Sequence, residues 1–228
     1  MKPSVTHSAA AAHAVALLLA AIPAGLNAAT YDWNGSTNGW QTTTAWTPNT
    51  ASTGPASTDV ARFGSAFSGA SQPTIVTNNS GFNAAGAIWL TTGGKNTTMG
   101  GVTSSYFALY GVDGTNVGRA TGTNYGLVID DNLNFSFQTA TTLPTLVMPT
   151  SGGAQTWYVG TGDTVTINSV ATTGYFELGN GTTYITLTVD GAGNTTIYNL
   201  NNKSTVLGGY LVKKGSGQLL LTGPMGGR

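Results

Sequence analysis

Leu211-Val212-Lys213-Lys214-Gly215-Ser216-Gly217-Gln218-Leu219-Leu220-Leu221-Thr222-Gly223 is the stretch on which the fold turns. Two short apolar runs flank a Gly-x-Gly turn. In an extended chain, successive side chains point to opposite faces, so Leu219 and Leu221 share one side and Leu220 takes the other. Gly215 and Gly217 supply backbone angles that residues with a Cβ reach only at steric cost.

The same grammar recurs upstream. In Asn132-Leu133-Asn134-Phe135-Ser136-Phe137 the odd positions are apolar and the even ones polar. Thr164-Val165-Thr166-Ile167 repeats the alternation, and residues 183–189 place Ile185, Leu187 and Val189 on one face. β-Branched and aromatic residues dominate these runs, as a pleated surface favours. Between them stand turn signals: Gly93-Gly94, Asp113-Gly114, Gly160-Thr161-Gly162-Asp163, Asn180-Gly181 and Asp190-Gly191. No stretch after the first thirty residues keeps a helical period. The chain is therefore read as all-β, with strands about every ten residues. That spacing allows either an antiparallel β-sandwich or barrel, or a parallel β-solenoid. Sparse charge and the Asn and Thr at many corners favour the solenoid, where polar corners stack as ladders.

Composition narrows the chemistry. Charged residues make up 7% of the 228 and apolar ones 40%, so a core forms while Thr, Ser, Asn and Gln carry solubility. Formal charge is zero, and about −1 once Lys2 is lost, which gives no footprint for nucleic acid. His7 and His13 are the only histidines, and there is no cysteine. Both histidines lie in a leader with the three parts of a signal peptide: Lys2, an apolar stretch over 9–22 centred on Leu17, Leu18 and Leu19, then Pro23, Gly25 and small residues at Ala28 and Ala29. Residues 1–29 are thus expected to be removed, and the apolar run is shorter than the ~20 residues a membrane span needs. Loss of the leader would leave no imidazole or thiol, excluding Ser/His and Cys/His nucleophile systems and the usual zinc sites. No cofactor and no metal are expected.

The 211–223 segment resembles the autotransporter-associated β-strand repeat, L-x-K-x-G-x-G-x-L-x-L-x-G. Leu211, Lys213, Gly215, Gly217, Leu219, Leu221 and Gly223 meet every fixed position. The N-terminal region is similar to the opening of the same exported proteins through Trp33-Asn34-Gly35, Trp40, Trp46 and Asp59-Val60-Ala61-Arg62-Phe63-Gly64, although Ala45 stands where Asn usually precedes the third Trp. Thr156-Trp157-Tyr158-Val159 with Gly162 and Val165-Thr166-Ile167, and Glu177-Leu178-Gly179-Asn180-Gly181, look like coils of that family. Residues 71–146 carry no recognisable match. The resemblance implies a right-handed parallel β-helix, secreted or displayed at a Gram-negative cell surface. In that reading, 30–70 form an aromatic N-terminal cap and 71–228 form solenoid coils with a single repeat copy at 211–223. It also implies a longer parent or a short secreted relative, with end-to-end self-association at an uncapped edge.

Candidate chemistry is sparse. Glycoside hydrolysis needs two carboxylates facing across about 5–10 Å. Asp130 and Asp131 are adjacent and point to opposite faces of a strand. Asp113, Asp163 and Asp190 sit in turns, where side-chain capping explains them; Asp32, Asp59 and Glu177 complete the acidic set. A polysaccharide lyase would need a base beside an acidic cluster, and Lys95 and Arg119 are the only mid-chain bases. Asp113-Gly114-Thr115-Asn116 is oxygen-rich but lacks the acidic density of a calcium loop. Trp33, Trp40 and Trp46, with Tyr31 and Phe63, form either a plug for the first coil or a sugar-stacking platform. The expectation is a non-enzymatic exported passenger or stalk for adhesion or surface display, meeting extracellular polysaccharide or a host or matrix surface. A carbohydrate-binding module using the tryptophans is the alternative, and a β-helical polysaccharide-degrading enzyme the third.

Overall fold

The computed structural model describes residues 28–50, 54–69, 74–77, 82–101, 105–130, 132–139, 144–148, 153–167, 176–178, 185–202, 209–223 and 226–227. Residues 1–27 of the expected leader, Asp131, and the turn signal read at Asn180-Gly181 lie outside them. The chain opens with β1 (Thr30–Trp33) and β2 (Trp46–Thr47), then runs through β3 (Val60–Phe63), β4 (Ile75–Thr77) and β5 (Phe82–Ala85). β6 (Ala87–Leu90), β7 (Thr97–Gly101) and β8 (Ser105–Leu109) follow. A short β9 (Val112–Asp113) and a 3-10 turn over Gly114–Val117 interrupt before β10 (Asn124–Ile129), β11 (Asn134–Thr139) and β12 (Pro144–Met148). Next come β13 (Gln155–Val159), β14 (Thr164–Ile167) and β15 (Phe176–Leu178), then β16 (Thr186–Asp190), β17 (Asn194–Tyr198) and β18 (Leu200–Asn202). β19 (Tyr210–Lys213), β20 (Leu219–Thr222) and β21 (Gly226–Gly227) complete the set.

From β3 onward, leaving β9 aside, consecutive strands fall in three different sheets in strict rotation. The first sheet runs β19-β16-β13-β10-β6-β3-β1-β2, the second β20-β17-β14-β11-β7-β4, and the third β21-β18-β15-β12-β8-β5. Each strand therefore hydrogen-bonds to the strand one circuit earlier and the strand one circuit later. Pairing among the described residues is parallel except for β1 with β2 and β9 with β10. This corrects the antiparallel-sandwich alternative. A sandwich joins sequence neighbours by hairpins within or across two sheets, whereas here sequence neighbours occupy different sheets and ladder partners come from successive circuits. The interval between partners is uneven, from 24 residues between Leu187 and Leu211 to 39 between Ile88 and Leu127.

Register stacks like on like. Down the second sheet, Ile75, Met99, Phe137, Ile167, Ile197 and Leu221 are successive ladder partners, as are Phe107, Leu146, Phe176 and Leu200 in the third. β13 and β16 alternate buried and half-buried positions along their length, the period-two pattern read from the sequence. The inner faces of all three sheets meet in one apolar core, each buried side chain of this kind contributing about 1.5–3 kcal/mol.

Residues that precede β3, or lie between β1 and β3, contact the N-terminal edge of each sheet. β1 and β2 extend the first sheet beyond β3. Residues 38–40 lie along β4, with Val76 N–H donating to Asn38 O (2.7 Å) and Trp40 N–H to Val76 O (2.9 Å). Gln41 Nε2 donates to Asn83 Oδ1 on β5 (2.9 Å). Backbone groups of β3 and β4 that an open edge would expose are thereby paired.

Candidate functional site

Trp33, Trp40 and Trp46 are fully buried against the first circuit. Trp46 meets Trp33 and Trp40 edge-on at centroid distances of 5.1 and 4.9 Å, and Trp40 meets Phe107 at 4.8 Å and 88°. Such T-shaped pairs add about 0.5–1.5 kcal/mol each beyond their burial. Trp46 Nε1 donates to Trp40 O (2.9 Å), fixing the segment on itself. No ring face is left for a pyranose to stack on. The glycan-platform reading of these three residues is therefore corrected: edge-to-face packing and complete burial consume the faces that a platform would present.

The Leu211–Gly223 segment forms β19, a turn and β20. Leu187 pairs with Leu211, Thr195 with Leu219 and Ile197 with Leu221, so all three leucines take inward register positions. They are only half-buried, because no further circuit among the described residues lies on them, and Leu220 and Tyr210 are exposed. The turn stacks directly on its predecessor. A Cβ on Gly217 would lie 1.8 Å from Gly193 O, and one on Gly215 would lie 2.3 Å from Gly191 O, where Gly215 also has φ +66°. Only glycine allows that approach. Lys213 shares the register of buried Val189, yet its ammonium folds back to donate to Lys214 O and to Gly215 O (3.2 Å), covering turn carbonyls. Gly223 lies at φ +80° against the Asn199 side chain.

Polar corners stack as well. Asn134 N–H donates to Asn96 Oδ1 (2.9 Å), Thr164 Oγ1 to Asn134 Oδ1, and Gln218 N–H to Asn194 Oδ1 (3.0 Å). These groups satisfy donors and acceptors where the chain turns from the first sheet into the second.

The outer face of the first sheet carries two ion pairs. Both arginines among the described residues stand there. Asp32 and Arg62 are register partners on β1 and β3, and the guanidinium donates through Nε to Oδ1 (2.6 Å) and through Nη2 to Oδ2 (2.7 Å). That bidentate bond to Asp32 raises the Arg62 pKa above its ordinary value. Trp89 is the next register partner, with the Arg62 Cζ 5.7 Å from its ring centre. The Trp89 indole donates to Asp130 Oδ2 (3.3 Å), and Asp130 is ion-paired with Arg119, which stacks 3.7 Å over Tyr158. Beneath lies a second apolar cluster: Val112 and Val117, from β9 and the 3-10 turn, pack on Val60, Ala87 and Val128. Beside the Asp32–Arg62 pair opens a groove of about 350 Å³, lined by Asp32, Arg62, Gly64, Ser65, Ala66, Thr91 and Thr92.

The remaining described aspartates serve the backbone. Asp113 caps the 3-10 turn, accepting from Thr115 N (3.0 Å), Thr115 Oγ1 (2.8 Å) and Gly122 N (2.7 Å). The Thr115 and Gly122 amides pull its pKa down to about 2. Asp163 is buried and accepts from Leu133 N (2.7 Å) on the adjacent circuit. Burial raises its pKa, helped by the Asp130 charge and opposed chiefly by the Leu133 amide. Asp59 holds Ala56 N (2.8 Å), and Asp190 holds Gly191 N (2.7 Å). Among the described residues no three His, Cys, Asp or Glu side chains gather as a metal cluster. No family model, no curated protein and no solved structure matches this chain.

Sequence reasoning missed the Arg/Asp/aromatic row on the first sheet. The partners are 30 residues apart for Asp32 and Arg62, and 41 for Trp89 and Asp130. Pairing at such separations depends on circuit lengths that no local pattern specifies. The available signal was compositional: in a chain this poor in charge, the two arginines that precede the terminal segment each carry information.

Proposed function

We propose that the chain is an exported right-handed parallel β-helix related to the passenger segments of autotransporter-associated β-strand repeat proteins. Its role is mechanical: it holds a surface away from a Gram-negative envelope for adhesion or display, without catalysing a reaction. The observation that carries this reading is the strict rotation of successive strands through three parallel sheets, with apolar ladders inside. The stacked Gly-x-Gly turns support it, since a turn that accepts only glycine from its neighbour is the demand of a repeat. So does the use of the described aspartates in ion pairs, turns and corners.

The position of the cut bears on the first ladder. Val60 N–H donates to Ala29 O (2.7 Å), at the head of the β1–β3 ladder. Cleavage after Ala28 preserves that acceptor, whereas cleavage after Ala29 removes it. Expression of the full chain in a Gram-negative host, followed by mass determination of the product outside the cytoplasm, tests the proposal. A mature chain starting at Ala29 or Thr30 and held on or released from the cell surface is expected. Cytoplasmic protein retaining Met1 would refute it.

A further inference from the structure

We propose that the groove beside Asp32 and Arg62 is a binding site for a neutral saccharide, holding one sugar ring through its vicinal hydroxyls. The assignment is independent of the display reading and uses a different face from the buried tryptophans. It begins with the geometry of the pair. The bidentate bond uses Arg62 Nε–H and one Nη2–H, so three of the five guanidinium protons have no hydrogen-bond partner among the described residues, in a plane that Asp32 fixes. Each Asp32 oxygen keeps lone-pair capacity beyond the bond it accepts. The groove therefore offers donors and acceptors side by side, at positions that cost no further ordering. Arg62 is 36% exposed and Asp32 22%, so both are reachable.

The rest of the lining agrees. Ser65, Thr91 and Thr92 add three hydroxyls, each able to donate and accept. Gly64 and Ala66 keep the wall low, and Phe67 N–H to Gly64 O (3.4 Å) and Gly94 N–H to Thr91 O (2.9 Å) set the two turns that form it. The ligand that complements such a surface also carries groups that donate and accept at adjacent atoms, which describes vicinal hydroxyls. Charge selects within that class. The carboxylate cancels the guanidinium, so a phosphate, sulfate or uronate gains no net attraction there. The volume of about 350 Å³ equals that of roughly a dozen liquid-water molecules, suited to a sugar ring and too small for a folded segment.

The test is calorimetric titration of the mature chain with cellotetraose, maltotetraose and mannotetraose, with polygalacturonate as the charged comparison. Two variants accompany it. A66Y fills the groove from an exposed position and leaves the ion pair intact, and R62K keeps the charge but loses the fork. Binding of at least one neutral tetrasaccharide with a dissociation constant near 1 mM or tighter is expected, falling by about tenfold or more in both variants. Thermal melting confirms that each variant is folded, and T92V substitutes if either is not, with a loss of about threefold or more expected. Absence of binding by all three neutral sugars to about 10 mM overturns the assignment. So does binding that persists in a folded variant, or binding of polygalacturonate alone.

Discussion

Replacing Gly193 by alanine isolates the steric demand of the stacked turns. Gly193 has no left-handed φ, so the substitution adds a methyl group without a backbone penalty. That methyl would lie 2.3 Å from Gly160 O, 2.5 Å from Val159 Cγ1 and 2.7 Å from Asp163 O, against ordinary contacts of 3.4 Å or more. Two of the three obstacles are backbone atoms of the preceding circuit, which cannot swing aside. Relief requires a movement of about 1 Å between circuits. That movement stretches Gly193 N–H to Val159 O (2.9 Å) and Asn194 N–H to Asp163 O (3.0 Å). Overpacking of this kind costs about 1–3 kcal/mol, and two weakened backbone bonds add about 1 kcal/mol each. The expected loss is about 3–5 kcal/mol, which lowers the melting temperature by roughly 10 °C for a domain of this size. Gly122→Ala is the control: its Cβ meets nothing within 4 Å, and only its φ of +80° is unfavourable. It should lose about 1–2 kcal/mol. Thermal unfolding followed by circular dichroism ranks the two. A G193A protein that melts no lower than G122A would show that the turns do not touch as described.

Other substitutions read other parts of the structure. Leu187→Asp buries a charge between two flanking strands and should cost about 4 kcal/mol or more, while Leu219→Asp, half-buried, should cost about 1–2 kcal/mol; equal losses in denaturant titrations would place Leu219 in a closed core. Asp113 has its folded pKa depressed to about 2 from 3.8, so its contribution is complete above 3.8 and disappears as pH falls from 3.8 towards 2. D113N should lack that acid-side loss, and a wild-type acid titration unchanged by the substitution would contradict the capping geometry. Asp163 has the opposite sign: its folded pKa is raised, so its contribution is complete below 3.8 and is lost as pH rises through the folded value. D163N should therefore flatten stability above pH 3.8, whereas a D163N protein that still loses stability over that range would relocate the titrating group. Trp89 is the one tryptophan of five that is not fully buried, so acrylamide should quench a single accessible component, and W89F should abolish it. Quenching that survives W89F would mean the N-terminal rings are open to solvent.

Much of the architecture was legible locally. Leu133, Phe135 and Phe137 alternate with polar neighbours, and Ile185, Leu187 and Val189 do the same, because one face of each strand meets the core. Gly162, Gly191 and Gly215 mark corners at positive φ, as the turn signals indicated. The burial of Trp33, Trp40 and Trp46 was one of two readings, and periodicity could not choose between them, since a plug and a platform use the same residues. What escaped the sequence was non-local. Residues 71–146 carry β4 through β11 and most of β12 without a recognisable motif, because circuits of unequal length hide their repeat. The outer-face cluster of Val112 and Val117 on Val60, Ala87 and Val128 could not be read either, for it reverses the usual inside-out assignment of one sheet face.

The unequal circuits have a consequence for change over time. Ile88 and Leu127 are ladder neighbours although 39 residues separate them, while Leu187 and Leu211 achieve the same contact with 24. The surplus chain leaves the stack at a corner and returns in register, and in the longer case it folds back as β9 and the 3-10 turn, supplying Val112, Val117 and Arg119 to the exterior. New surface can thus be grafted at a corner by lengthening it, with the hydrogen-bond ladders above and below left as they were. A lineage built on this plan can remodel what it touches as freely as a wall accepts different brackets, its strength staying with the courses of brick.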